Sequence, residues 1–257
     1  MNVGRSASAR TDRSSKAIQV AFIVGIGVAW YAVTTGQLIS PLFLPNPVDV
    51  FGMFVRIITT GEAWPDVQVT FMEVAIAFPL AAIAGTIVGY LVSINRYGTR
   101  VFEPLFSGIF AIPIIVFYPL SVLIFGIGPE SKIAHGAMFG FFPAVLNTIQ
   151  GFSTVNPQLL RFAHAAGATR VQILVRIMFP AALPALLTGY RMAFILSFLG
   201  IIGSETIASL AGLGHRIIWY AEALDTVKMF AYIIFVIILA FVLNFILSAA
   251  EARWERR

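Results

Sequence analysis

Six stretches of this chain are apolar on every face rather than striped, at about 17–35, 69–93, 105–126, 133–150, 181–203 and 229–249. Each approaches or exceeds the roughly 20 residues a helix needs to cross a hydrocarbon core. None shows the alternating polarity of a membrane-spanning strand. The pattern predicts an all-α, polytopic membrane helical bundle with about six transmembrane helices. Residues 1–16 form an N-terminal tail, read as unstructured and as a plain topology signal ahead of the alternative that it touches anionic headgroups, 17–250 the transmembrane domain, and 251–257 a C-terminal tail. No fixed-period repeat or linker divides the chain further.

One long stretch interrupts the membrane pattern, residues 156–180. Asn156 is a good N-cap, Pro157 suits a first helical position, and Val155 can staple against Leu160. Gly167 can take the left-handed conformation that ends a helix, and Thr169 with Gln172 reads as a capping box for the next. Two short helices joined at a glycine elbow follow. Leu159, Leu160, Ala163 and Ala166, then Val171, Leu174 and Ile177, recur at three- and four-residue spacing and give each an apolar face.

Two further segments break the runs. In 36–68, Leu44-Pro45-Asn46-Pro47 precedes a short amphipathic helix beginning at Asp49, with Val50, Phe54 and Ile57 on one side, suited to a membrane surface. Residues 204–228 are too polar to span and too apolar for a free loop; with a turn at Gly212 and Gly214 they form a candidate external gate, and Asp225-Thr226 caps the last span. Gly85 and Gly89 in the second span permit close helix packing within or between subunits. Pro113 and Pro119 each remove a backbone donor and kink the third span, whether to line a path or for structure alone.

Composition agrees: of 257 residues 59% are hydrophobic and only 11% charged, against about a quarter charged in soluble domains. A net charge of +5 does not point to nucleic acid, because the basic residues flank the spans. With the N terminus in the cytoplasm, 12 of 17 fall inside: Arg5, Arg10, Arg13, Lys16, Arg96, Arg100, Arg161, Arg170, Arg176, Arg253, Arg256 and Arg257. Arg56, Lys132, Arg216 and Lys228 fall outside, and Arg191 near a helix end. The positive-inside rule thus puts both termini and the 156–180 loop in the cytoplasm. The run from Ala17 is too long for a signal core, so it reads as an uncleaved span. The chain has no cysteine and three scattered histidines, so no metal site is expected. It has no phosphate-binding Gly-x-x-x-x-Gly-Lys-Ser/Thr loop and no catalytic triad.

Gly167, nine residues, Ile177, one residue, then Phe179-Pro180 resembles the cytoplasmic coupling loop of binding-protein-dependent ABC transporter permeases, with Arg161-Phe162-Ala163 standing where that family has Glu-Ala-Ala. Leu44-Pro45-Asn46-Pro47, Ile112-Pro113, Phe125-Gly-Ile-Gly128, Phe142-Pro143, Pro180-Ala-Ala-Leu-Pro184 and Gly212-Leu-Gly214 resemble the nitrate, sulfonate, taurine and bicarbonate branch. The resemblance covers about 44–257. It implies a MetI-like permease fold in the bacterial inner membrane and a homodimeric pair of permease chains enclosing the path of a small, anionic solute. That solute is delivered by an external solute-binding protein. ATP and Mg2+ are bound by a separate ABC ATP-binding subunit; this chain binds no cofactor and is not an enzyme. Arg161, Ala163, His164, Ala166, Gly167, Ala168, Arg170 and Val171 are the expected ATPase-coupling residues, with Arg161, His164 and Arg170 as polar rim.

For the path or gate the candidates are Pro113, Pro119, Asn147, Ser197, Ser204 and Glu205. A deep carboxylate repels an anion, so Glu205 holds structure more readily than cargo, and helix ends, Asn147, Thr148, Ser197 and Ser204 are the available ligands. Glu73 is read as reaching the interface, and Arg191 as a structural residue whose stem is buried and head snorkels. The rival readings are a secondary transporter or channel working alone, disfavoured by the lack of an inverted repeat, and a membrane-embedded enzyme, which lacks a catalytic constellation.

Overall fold

The computed structural model describes the backbone of residues 3–255 and the side chains of 17–249 and 251–253. Contacts of the N-terminal tail with headgroups therefore fall outside the described residues. Within them there are helices and turns and no strand. Helix α1 is Val3–Thr35, so the backbone is already helical in most of the stretch read as an unstructured tail. It is followed by α2 (Pro47–Thr60), α3 (Trp64–Ser93), α4 (Arg96–Phe110), α5 (Tyr118–Phe125), α6 (Pro129–Ser153), α7 (Pro157–Ala165), α8 (Arg170–Ile173), α9 (Phe179–Ile207), α10 (Leu213–Glu222) and α11 (Thr226–Glu255). The last helix takes in most of the residues read as a C-terminal tail.

Four helical stretches among the described residues are long and apolar enough to cross a membrane, Ala17–Thr35, Trp64–Ser93, Arg170–Ile207 and Thr226–Arg253, or five if the bent pair of α4 and α5 counts as one. The span expected over 105–126 bends sharply at Pro113, one of the two kinks expected in it. Its two halves meet at 80°, because Pro113 has no amide to donate and drives Ile112 away from helical geometry. Pro119 does not kink it. It lies in the first turn of α5, where a missing donor breaks no bond. The stretch expected over 133–150 is α6, 25 residues long. It tolerates Lys132, His135 and Thr148 because all three are buried in protein.

The chain divides into two units. The first takes in residues up to Glu62 and Ile217–Phe235. In it Trp30 donates from Nε1 to the carbonyl of Pro45 at 2.9 Å, its ring lies 6.0 Å from that of Phe230, and Tyr220 donates to Glu62 Oε1 at 3.1 Å. Helix α2 starts at Pro47 rather than Asp49, capped by Asn46 Oδ1 on Val48 N at 2.9 Å. The Asp225 carboxylate accepts from Lys228 N at 3.2 Å, the expected cap of α11.

The second unit, Ala63–Arg216 with Val236 onward, holds the larger core. Its centre is α6, flanked by α3 and α9. Gly85 and Gly89 pack inside the chain, not between chains: a Cβ on Gly85 would lie 2.5 Å from Ala144 Cβ and one on Gly89 2.6 Å from Thr148 Cβ. On the other side of α6, Asn147 fills the space at Gly189. Small residues let the backbones approach closely enough for dispersion to hold the helices where apolar burial from water is not available. Val74, Ala77, Phe198 and Ile201 complete one cluster, and Phe152, Ala182 and Leu186 another.

Candidate functional site: a capped elbow and a buried polar end

Asn156 Oδ1 accepts from Gln158 N at 2.8 Å and starts α7 with Pro157 in its first turn. The helix closes on Gly167, whose φ of +76° is the left-handed conformation that a Cβ disfavours. There Gly167 N donates to His164 O at 3.0 Å and Ala168 N to Ala163 O at 3.0 Å. Thr169 and Gln172 then form the reciprocal capping box, at 3.3 and 2.8 Å. After α8 the chain widens into a π turn, Leu174–Met178, in which Phe179 N reaches back to Leu174 O. Pro180 accounts for the widening: it cannot donate to Arg176 O, so the regular register is lost just before α9 begins.

The expected coupling residues divide by exposure. Arg161, His164, Ala166, Gly167, Arg170 and Val171 are exposed and Ala168 is half-buried, while Ala163, expected on the contact surface, is 5% exposed and turned into the protein. Its neighbour Phe162, 72% exposed, and Val171, 69% exposed, are the large apolar groups presented outward. The apolar periodicity of the elbow thus marks two faces, an inner one with Ala163 and Ile173 and an outer one with Phe162 and Val171.

At the end of the second unit where α3 begins and α9 stops, a buried polar network holds the segment 208–216. Helix α10 follows Gly212, which has no side chain to cap it, so its first amides are satisfied from elsewhere. Gly212 N donates to Asp66 Oδ1 at 3.1 Å, Leu213 N to Thr70 Oγ1 at 3.0 Å, and Gly214 N to Glu205 Oε2 at 2.7 Å. Thr70 in turn donates to Glu205 Oε1 at 2.7 Å, and Arg216 Nε to Asp66 Oδ2 at 2.7 Å. Two carboxylates at a helix N-terminus are favoured by its dipole. Tyr118 donates to Ala208 O at 2.8 Å from the other side. The segment expected as an external gate is therefore fastened to α3 and α9.

Glu73 does not reach the interface. It is 1% exposed and pairs with the buried Lys132 at 3.7 Å, and Lys132 also donates to Ile127 O and Gly128 O at 3.2 and 3.1 Å. Arg191 pairs with Glu251 at 2.9 Å and donates to Ser248 at 3.2 Å. This ties α9 to the end of α11, the structural role expected of Arg191, with a carboxylate and a hydroxyl as its partners. The missed residues, Asp66, Thr70 and Lys132, left one sequence signal: Asp66, Thr70 and Glu73 follow helical spacing and put a polar stripe on an apolar helix.

The path candidates are not brought together. Pro113 and Pro119 are exposed on either side of the α4–α5 break. Asn147 donates to Pro143 O at 2.8 Å and Ser204 to Gly200 O at 2.6 Å, each along its own helix. Ser197 is fully buried and faces Gly140.

An all-helical, multi-pass bundle with a helical elbow hung between two of its long helices is the architecture of a membrane transport permease. The chain belongs to the family of binding-protein-dependent transport system inner membrane components, whose model matches residues 67–257. It is 31% identical over 229 residues to the taurine transport system permease protein TauC of Escherichia coli, covering 87% of this chain and 83% of that one. It is 29% identical over 205 residues to the putative aliphatic sulfonates transport permease protein SsuC of Bacillus subtilis, covering 80% and 74%. Its fold matches the MetNI methionine ABC transporter in an inward facing conformation, with a TM-score of 0.61 at 21% identity over 76% of this chain and 97% of that chain. The protein is a permease subunit of an ABC importer, in a family whose ATP hydrolysis resides on a separate subunit, and is not itself an enzyme.

Proposed function

We propose that residues 156–178 are the handle gripped by the ATP-binding subunit, on the cytoplasmic side with both termini. The observation that carries this is the elbow itself. Two short helices with their own caps, joined at a left-handed glycine, hold Phe162 and Val171 outward at a fixed angle, the form an apolar groove on a partner recognises. ATP and Mg2+ belong to that partner. The imbalance of basic residues supports the orientation. Two copies of the chain enclose the path, with the α4–α5 break and the end fastened by Glu205 as the parts that bound it. The cargo is a small anion of the sulfonate class, in keeping with the relatives named for taurine and aliphatic sulfonates, handed over by a solute-binding protein.

Coexpression with the ATP-binding subunit tests the handle. Gly167→Val and Phe162→Asp are expected to abolish copurification and ATP-driven uptake in proteoliposomes. Full copurification and uptake by both variants, or uptake driven by an ion gradient without ATP, overturns it. Because the chain has no cysteine, Val116→Cys in the exposed turn before α5 and Leu123→Cys on α5 report the second copy by disulfide trapping. Stimulation of ATP hydrolysis by binding protein loaded with taurine or an alkanesulfonate, and not by unloaded protein, checks the cargo.

A further inference from the structure

A groove of about 700 Å3 opens in the second unit between the α3–α4 junction and the α7–α8 pair. Its floor is apolar: Tyr90, Phe152 and Met178 belong to one packed cluster, with the Tyr90 and Phe152 rings edge to face at 5.2 Å. Its rim is basic. Arg96 and Arg100 come from the first turns of α4, Arg170 from the start of α8, and His164 from the last turn of α7. The His164 Nδ1–H donates to Leu160 O at 2.7 Å, which leaves Nε2 for another partner. The ion pairs among the described residues join Glu73 to Lys132, Glu251 to Arg191, Asp66 to Arg216 and Asp225 to Lys228, and so engage none of the three rim arginines.

The level of the groove decides what fills it. Helix α3 is a long apolar span that ends at Ser93, and Arg96 opens the next helix, with Ile94 61% and Tyr97 76% exposed between and beside them. That is the layer where hydrocarbon gives way to headgroups. A free phosphate or a nucleotide phosphate matches the rim and leaves the aromatic floor uncovered. A molecule with an anionic phosphate and an apolar tail matches both, and guanidinium groups grip phosphate through paired N–H donors. We infer that this groove binds an anionic phospholipid, its phosphate held by Arg96, Arg100 and Arg170 and its acyl chain laid over Tyr90, Phe152 and Met178. The lipid joins the end of α3 to the elbow, so it stiffens the handle through which the ATP-binding subunit acts. This regulatory role rests on the coupling assignment above; the binding site does not.

Native mass spectrometry of the full permease chain, without the ATP-binding subunit, measures phosphatidylglycerol against phosphatidylcholine retention. The wild-type chain is expected to prefer phosphatidylglycerol at least about tenfold, because arginines at the membrane surface attract anionic headgroups. The combined Arg96→Gln, Arg100→Gln, Arg170→Gln variant loses that preference, while Arg56→Gln, an equal change of charge on an exposed α2 residue, keeps it. If the triple variant fails to fold, the single Arg→Gln variants each lower retention stepwise. Equal retention of the two lipids by the wild type, undiminished phosphatidylglycerol on the folded arginine variants, or displacement of the lipid by millimolar inorganic phosphate overturns the site. Failure of the coupling assignment alone leaves these readings intact, because no ATP-binding subunit is present.

Discussion

Two helix starts in this protein are capped by opposite means. At α8, Thr169 and Gln172 satisfy each other's backbone amides across three residues. At α10, Asp66 and Thr70, about 145 residues away in sequence, satisfy the first two amides and Glu205 the third. The first is a local device that holds its shape through bonds within one helical turn, as the handle proposed for the ATP-binding subunit must. The second exists only when α3, α9 and the turn at 208–212 are already packed. Buried hydrogen bonds to carboxylates are also costly to break, because removing one partner strands the others away from water.

The sharpest way to break this contrast is Lys132→Met, which leaves Glu73 buried without its cation. A loss of about 3–5 kcal/mol is expected, read as a large fall in the melting temperature of the detergent-solubilised chain. Glu205→Ala strands Gly214 N and Thr70 and is expected to cost about 3 kcal/mol. Glu205→Gln, which keeps one acceptor, recovers part of it. A double-mutant cycle of Thr70→Ala with Glu205→Gln should be clearly non-additive, since both touch one network.

Changes at the elbow are expected to be smaller in stability and larger in coupling. Gly167→Ala forces a Cβ into the left-handed region at about 1–2 kcal/mol, with no neighbour within 4 Å to clash. The bundle's melting temperature should hardly move while copurification with the ATP-binding subunit falls. Thr169→Ala removes half of the capping box at about 1 kcal/mol, visible as faster amide exchange confined to 169–173. Equal melting shifts from the elbow and the buried end would erase the distinction.

The elbow was legible because each of its signals acts over three or four residues: Asn156 on Gln158, Gly167 on the turn it closes, Thr169 on Gln172. Burial revised which face turns outward, since Ala163 and Phe162 are adjacent and periodicity cannot say which one the bundle covers. The polar end was read wrongly at Glu73, where a carboxylate near a span end suggested the interface and Lys132 on α6 instead draws it inside. The kink expected in the third span falls at Pro113, where the run bends by 80°, while the one expected at Pro119 does not form because that residue sits in the first turn of a new helix.

By itself the sequence determined that the chain is helical and crosses a membrane repeatedly, where its elbow lies and how each end of the elbow is capped. These follow from hydrophobic run lengths and from bonds within one helical turn, whose geometry is set by the backbone alone. Only the tertiary structure decided that Gly85 and Gly89 face α6 and that Asp66, Thr70 and Glu205 together cap α10. It alone also decided that Arg96, Arg100 and Arg170 gather around one apolar floor. Those groups are brought together by helices that approach in space, and hydrogen bonding and charge act through distance in space, not along the chain.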